Sequence, residues 1–158
     1  MGTQAEALAG QLEAAIDEAV AAIAACSDTR WGALNPTDSW SVGVTAHHIA
    51  SSVQPTFELV QAIATAQPLP PITFEMINAG NAQHALQFAN CTKAETLDLL
   101  RSSKAGVLGQ LRAFSDDQLA RTAQFPPLGE APVGAGQLVD MLVIGHVKGH
   151  LTNILAPA

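Results

Sequence analysis

Positive charge is scarce in this chain. Seven Lys and Arg stand against 14 Asp and Glu, for a formal net charge of −7. That balance argues against nucleic-acid binding, which needs a basic patch to neutralise phosphates. The seven cations are also scattered, which leaves no polybasic membrane anchor. No apolar run is long enough to span a bilayer, and the N-terminus lacks a basic-then-apolar signal pattern. The expected compartment is therefore the cytoplasm, with no membrane partner. Cysteine is equally sparse: Cys26 and Cys91 stand far apart, without a CxxC or any thiol-zinc spacing. Both are expected to be reduced and inert, since only Lys93 near Cys91 would activate a thiol. There is no internal repeat and no low-complexity linker.

What is abundant is apolar helix former. Hydrophobic residues make up 48% of the 158 residues and charged residues 13%. The surface must then be largely Gln, Ser, Thr, Asn and Ala, which suits a helical bundle that hides some surface in an oligomer. The length fits a single domain over residues 1–158. A first helix is expected from the capping box Thr3-x-x-Glu6 to about Cys26, with Leu8, Leu12, Ile16, Val20 and Ile23 as its stripe. Residues 27–39 read as a breaker-rich connector. A second helix opens at Trp40-Ser41, with Ser41 as N-cap, and Pro55 is expected to kink or end it. Residues 67–72, with three prolines, read as a loop. A third helical segment is expected over about Thr73 to Ala89. A fourth begins at the box Thr92-x-x-Glu95 and runs to about Phe114. Ser115-x-x-Gln118 caps a short turn, with Asp116 and Asp117 at a solvated N-terminus. A loop follows from Phe125 to Gly136, and the last helix covers Gln137 to about Leu155. Long amphipathic helices without a strand series mean an all-α bundle.

The last helix carries His146-x-x-x-His150. Histidines at i and i+4 lie one above the other on a helix face and can share one divalent ion. They sit in an apolar setting of Leu142, Val143, Val147, Leu151 and Ile154, where polar nitrogens need partners. Core histidines hydrogen-bonded to neighbours satisfy that need as well as a metal does. On helix two, Thr45, His48 and Ser52 lie along one edge of the apolar stripe, whereas His47 falls on the opposite, solvent side. His48, His146 and His150 together make three imidazoles with an open fourth position, the pattern of a catalytic zinc site that also suits nickel. His84 is a candidate acid, base or substrate contact, with a satisfied core or surface histidine as the alternative. Asn78 and Asn81 either orient a ligand or mark the start of a segment.

The segment Trp40-Ser-Val-Gly-Val-Thr-Ala-His47-His48-Ile resembles the tryptophan-to-histidine stretch of the DinB/YfiT-like superfamily, related to mycothiol-dependent maleylpyruvate isomerases. There the metal-binding histidine follows the tryptophan by eight residues, which lands on His48. His146-x-x-x-His150-Leu-x-Asn153-Ile resembles that family's final metal motif, with Asn153 where Gln is usual. The sequence departs at Val44, where relatives often have an acid completing a capping box with Ser41, and at Gly149. The resemblance covers nearly the whole chain. It implies a DinB/YfiT-like four-helix bundle of up-down-down-up topology, a homodimer, and a divalent ion (Zn or Ni) on His48, His146 and His150. It also implies a low-molecular-weight thiol as co-substrate of a transferase or isomerase acting on a small molecule. A metal-water hydrolase and a non-catalytic metal-binding or stress-related binding module are the alternatives.

Overall fold

In a computed structural model of the chain, which describes residues 2–37 and 39–156, the apolar stripes become four long helical rods. The elements are α1 (Thr3–Ala25), α2 (Asp28–Gly32), α3 (Val42–Ala64), α4 (Phe74–Gln87), α5 (Lys93–Arg112) and α6 (Asp116–Ala120). A two-residue strand pair follows, β1 (Thr122–Ala123) with β2 (Val133–Gly134), with Thr122 opposite Gly134. The last rod is α7 (Ala135–Leu138), a π-helical turn (Val139–Ile144) and α8 (Gly145–Leu155).

Around the bundle the order is α1, α5, α3 and the last rod. Polar contacts give the directions. Arg112 reaches Glu6 and Glu13 while Lys104 reaches Glu13 and Asp17, so α5 runs against α1. Ser103 donates to the Ala50 carbonyl and Cys91 to that of Gly43, so α3 and α5 run parallel. His48 meets His150, and Ser52 meets His146, so α8 runs against α3. This is the expected up-down-down-up bundle. Its parallel pair requires a long crossover, and α4 lies in it. The core is the inner stripes of all four rods, with Leu12, Ile16, Phe57, Leu100, Leu111 and Leu138 fully enclosed.

Several local expectations change. Gly2, not Thr3, is the N-cap of α1. Thr3 instead donates its hydroxyl to Asp116 Oδ2 (3.1 Å), and the Gln4 N–H donates to Asp116 Oδ1 (3.0 Å). Asp116 is thus no solvated spectator: it caps a helix more than a hundred residues away, where an acid suits the positive end of the dipole. A Cβ on Gly2 would stand 2.1 Å from that carboxylate, so only glycine fits there. The connector contains α2, capped by Ser27, whose Oγ accepts from the Arg30 N–H. Pro55 does not end the second helix, which continues to Ala64. That helix stops in a Schellman arrangement, with Gln67 N–H on Ala62 O, Ala66 N–H on Ile63 O, and Ala66 at φ 56°. The boxes at Thr92 and Ser115 form as read. The loop before the last rod holds β2 and a 3₁₀ turn (Pro126–Leu128), and the rod starts at Ala135 rather than Gln137. Among the described residues no helix is long and apolar enough to cross a membrane.

Cations close three helix C-termini, where the last carbonyls lack partners. Arg30 donates to the carbonyls of Ile154 and Ala156, Lys93 to that of Cys26, and Arg121 to that of Ala64.

Candidate metal centre

The antiparallel packing of α3 on α8 sets His48 level with His146 and His150. Ring centroids stand 4.8 Å apart for His48–His146, 4.9 Å for His48–His150 and 4.5 Å for His146–His150, all edge-on. One nitrogen from each ring falls within 4.8 Å of the others. His48 Nε2 and His146 Nε2 are 3.0 Å apart. The π-helical turn immediately before Gly145 sets the rotation of this face. Its wide bonding is seen in the Gly145 N–H, which donates to the Asp140 carbonyl five residues back.

Tautomers follow from the hydroxyl beside the site. Ser52 donates to the Ile49 carbonyl (3.1 Å), so its lone pairs face His146 Nδ1 at 3.1 Å. An Nδ1–H of His146 donating to that oxygen leaves its Nε2 as the lone pair facing the centre. Burial, with the neighbouring His146, His150, His84 and His47, pushes the His48 imidazole down to about 3. Burial and then His150 push His146 down to about 4. Both rings are neutral at pH 7, the form in which imidazole binds a metal. Trp40 packs edge-on against His48 at 5.2 Å and holds that ring from the outside.

These residues fit a divalent ion. Bonds of about 2 Å from a tetrahedral ion separate imidazole nitrogens by about 3.3 Å, and His48 and His146 already stand near that spacing at 3.0 Å. A donor set of three imidazole nitrogens suits a divalent transition-metal ion.

His48 and His146 form one end of a cavity of about 390 Å³. Its other walls come from Leu59 on α3, Ile72 and Ile77 around the crossover, Phe125 and Leu128 from the loop after β1, and Leu142 in the π-helical turn. Asn81 reaches this cavity, whereas Asn78 is exposed and does not line it.

His47 does not face solvent. It is 7% exposed and stacks on Phe88 with centroids 3.9 Å apart. The crossover through α4 covers that side of α3, which the periodicity of α3 alone does not reveal. His84 stands beside His47, with His47 Nδ1 and His84 Nε2 3.4 Å apart, and edge-on to His48 at 5.3 Å. It does not line the cavity. Burial lowers the pKa of both rings; His84 adds to this at His47, while Glu95 opposes it there and a hydrogen bond to the Val44 backbone opposes it at His84. Both cysteines are free, and burial raises their thiols above the ordinary value. Neither is an activated nucleophile. Ser52, the residue that orients His146, is the one contributor that residue-type reasoning passes over. Its signal was its place four residues after His48.

The sequence model of the DinB superfamily matches residues 11–154. Among solved structures, YfiT from Bacillus subtilis, termed "a probable metal-dependent hydrolase with an unusual four-helix bundle topology", superposes with a TM-score of 0.77. The match has 17% identity over 98% of this chain and 86% of that one. The mycothiol-dependent maleylpyruvate isomerase superposes at 0.75, with 16% identity, over all of this chain and 65% of the isomerase. The sibling lethal factor precursor DfsB gives 0.69, with 15% identity, over 98% and 94% of the two chains. No curated protein matches the sequence.

Proposed function

This chain belongs to the DinB superfamily, and from that premise we propose that it is a divalent-metal-dependent enzyme, most simply a thiol-dependent transferase or isomerase. The observation that carries the reading is the convergence of His48, His146 and His150 within 4.8 Å, with His48 and His146 lining an apolar cavity. A zinc or nickel ion bound by the three rings would supply Lewis acidity and lower the pKa of a coordinated thiol or water. The chain's own residues do the rest. His48, His146 and His150 present ring nitrogens, Ser52 orients His146, and Trp40 buttresses His48. Leu59, Phe125 and Leu142 give the cavity hydrocarbon walls. Likeness to the mycothiol-dependent isomerase supports the thiol branch. Likeness to YfiT favours the second reading, a hydrolase that uses metal-bound water.

The test is a titration of the cobalt-substituted protein with mycothiol, bacillithiol, glutathione and a plain thiol. A thiolate displaces water from such an ion and adds near-ultraviolet absorption, with release of a proton. A saturable change with one physiological thiol is expected. Silence with every thiol, together with turnover of an ester or amide panel, transfers the reading to the hydrolase. Silence in both assays would leave a non-catalytic binding module.

We also propose that two copies of the chain associate. The inner stripes of α1 and α8 are consumed by the core, with Leu12, Ile16, Ile23, Val147 and Leu151 buried. Exposed apolar side chains gather on α4, where Phe74, Met76 and Leu86 stand on a helix that buries none of its residues, while Leu34, Leu128, Met141 and Leu155 are exposed singly elsewhere. Light scattering should give a dimer mass at about tens of micromolar, where modest interfaces still hold; a monomer would remove the proposal.

A further inference from the structure

The seven basic residues are all engaged away from the cavity or turned from it. Arg30, Lys93 and Arg121 bind helix-terminal carbonyls. Lys104 and Arg112 tie α5 to the acids of α1, and Arg101 pairs with Asp98. Lys148 stands beside Glu18 and Leu155 in a separate surface depression. Among the described residues the lining of the 390 Å³ cavity therefore contains no lysine or arginine, and no aspartate or glutamate. Its polar groups, apart from the two histidines, are the neutral Ser52, Thr56 and Asn81. The remainder is hydrocarbon, including the side chains of Phe74 and Phe125.

From this we propose that the site selects an uncharged, largely hydrocarbon substrate, aromatic or branched, carrying at most one neutral hydrogen-bonding group, and rejects dicarboxylates. The proposal rests on the metal-centre reading for where reaction occurs, but the selectivity belongs to the cavity itself. An ionised carboxylate buried beside Leu59, Ile72 and Leu142 would lose its water without gaining a cation. A metal ion held by His48, His146 and His150 would supply positive charge only beside His48 and His146, where a reacting thiolate would take it. The net charge of −7 adds long-range repulsion of a dianion. A hydrocarbon group, by contrast, gains by burying its surface against these walls.

Two measurements test this, one with the metal and one without. In the cobalt form, benzyl mercaptan should bind about tenfold or more tightly than mercaptosuccinate, read from the near-ultraviolet band. In the metal-free chain, benzyl alcohol should shift the methyl resonances of Leu59, Ile72, Ile77 and Leu142, whereas succinate should leave them unmoved. Ile77→Arg, on the half-exposed side of α4, should bring mercaptosuccinate to parity or better. If that variant fails to fold, Leu59→Lys places the charge on α3 instead. Equal binding of the two thiols by the wild type, or cavity methyls indifferent to benzyl alcohol, would overturn the selectivity. Failure to take up cobalt would strike the metal-centre reading alone, since the metal-free titration still decides the character of the cavity.

Discussion

Ser52 decides which nitrogen of His146 is available to the centre. A helical serine that returns its proton to a carbonyl three residues back has only lone pairs left to offer. It can therefore accept only from a protonated Nδ1, and that leaves Nε2 bare. Alanine at His48, His146 or His150 should each abolish stoichiometric divalent metal, whereas His47→Ala should retain it. Ser52→Ala should keep the stoichiometry but weaken affinity by about 10- to 100-fold, the usual effect of removing a group that orients a metal ligand. Metal analysis and competition with a chelator measure both. A fully occupied His48→Ala protein would refute the ligand assignment. The spacing of His146 and His150 and the stripe of α3 made the three converging rings legible at this scale. His47 is buried although its own helix turns it outward, because a helical wheel does not contain the crossover that lands on it. Ser52 was placed on the correct edge, but serine in a helix reads as filler until a partner stands opposite.

At the scale of elements, the π-helical turn Val139–Ile144 has the largest consequence for the site. It lies between the part of the rod anchored by Leu138 and the part anchored by Val147 and Leu151. Removing one residue from it would restore ordinary helical bonding and turn one half against the other by about 100°. Met141, 52% exposed, is the residue to delete. Either His146 and His150 swing away and stoichiometric metal is lost, or Leu138 and Val139 leave the core and Tm falls. A deletion that keeps both metal and Tm would show the turn to be incidental. Sequence periodicity does not reveal this turn, because every position from Leu138 to Ile144 except Asp140 is apolar and either register finds a stripe. Local signals fared better: the boxes at Thr92 and Ser115 close within four residues and were read directly. The cap of α1 was not, since Asp116 arrives from across the fold, as do Arg30, Lys93 and Arg121 at the helix C-termini.

For the whole molecule, assembly converts four separately ordinary histidines into a group with one shared electrostatic fate. His47, His48, His84 and His146 all have their pKa lowered from the ordinary 6.5, with burial as the first cause for each. In the unfolded chain they return to that ordinary value and take up protons as the pH falls below about 6.5. The folded rings resist, to about 3 for His48 and about 4 for His146. Between those limits the unfolded state binds more protons than the folded one, so stability falls as the pH falls. Above about 6.5 these groups contribute no pH dependence. Carboxylates held low by partners, such as Glu13 beside Arg112 and Glu95 in its capping box, lose their contribution only below their ordinary 4.5. The window from about 6.5 down to 4.5 therefore isolates the histidines. Metal-free protein should show a flat Tm from pH 8 to about 6.5 and a steady decline to 4.5. Protein loaded with zinc should melt higher at pH 7, since the ion binds only the folded site, and that gain should shrink through the same window as protons compete for the ligands. Thermal melts of both forms at half-unit pH intervals measure it. A metal-free Tm unchanged between pH 7 and 4.5 would mean that the rings are not buried neutral, and the tautomer set by Ser52 would lose its basis.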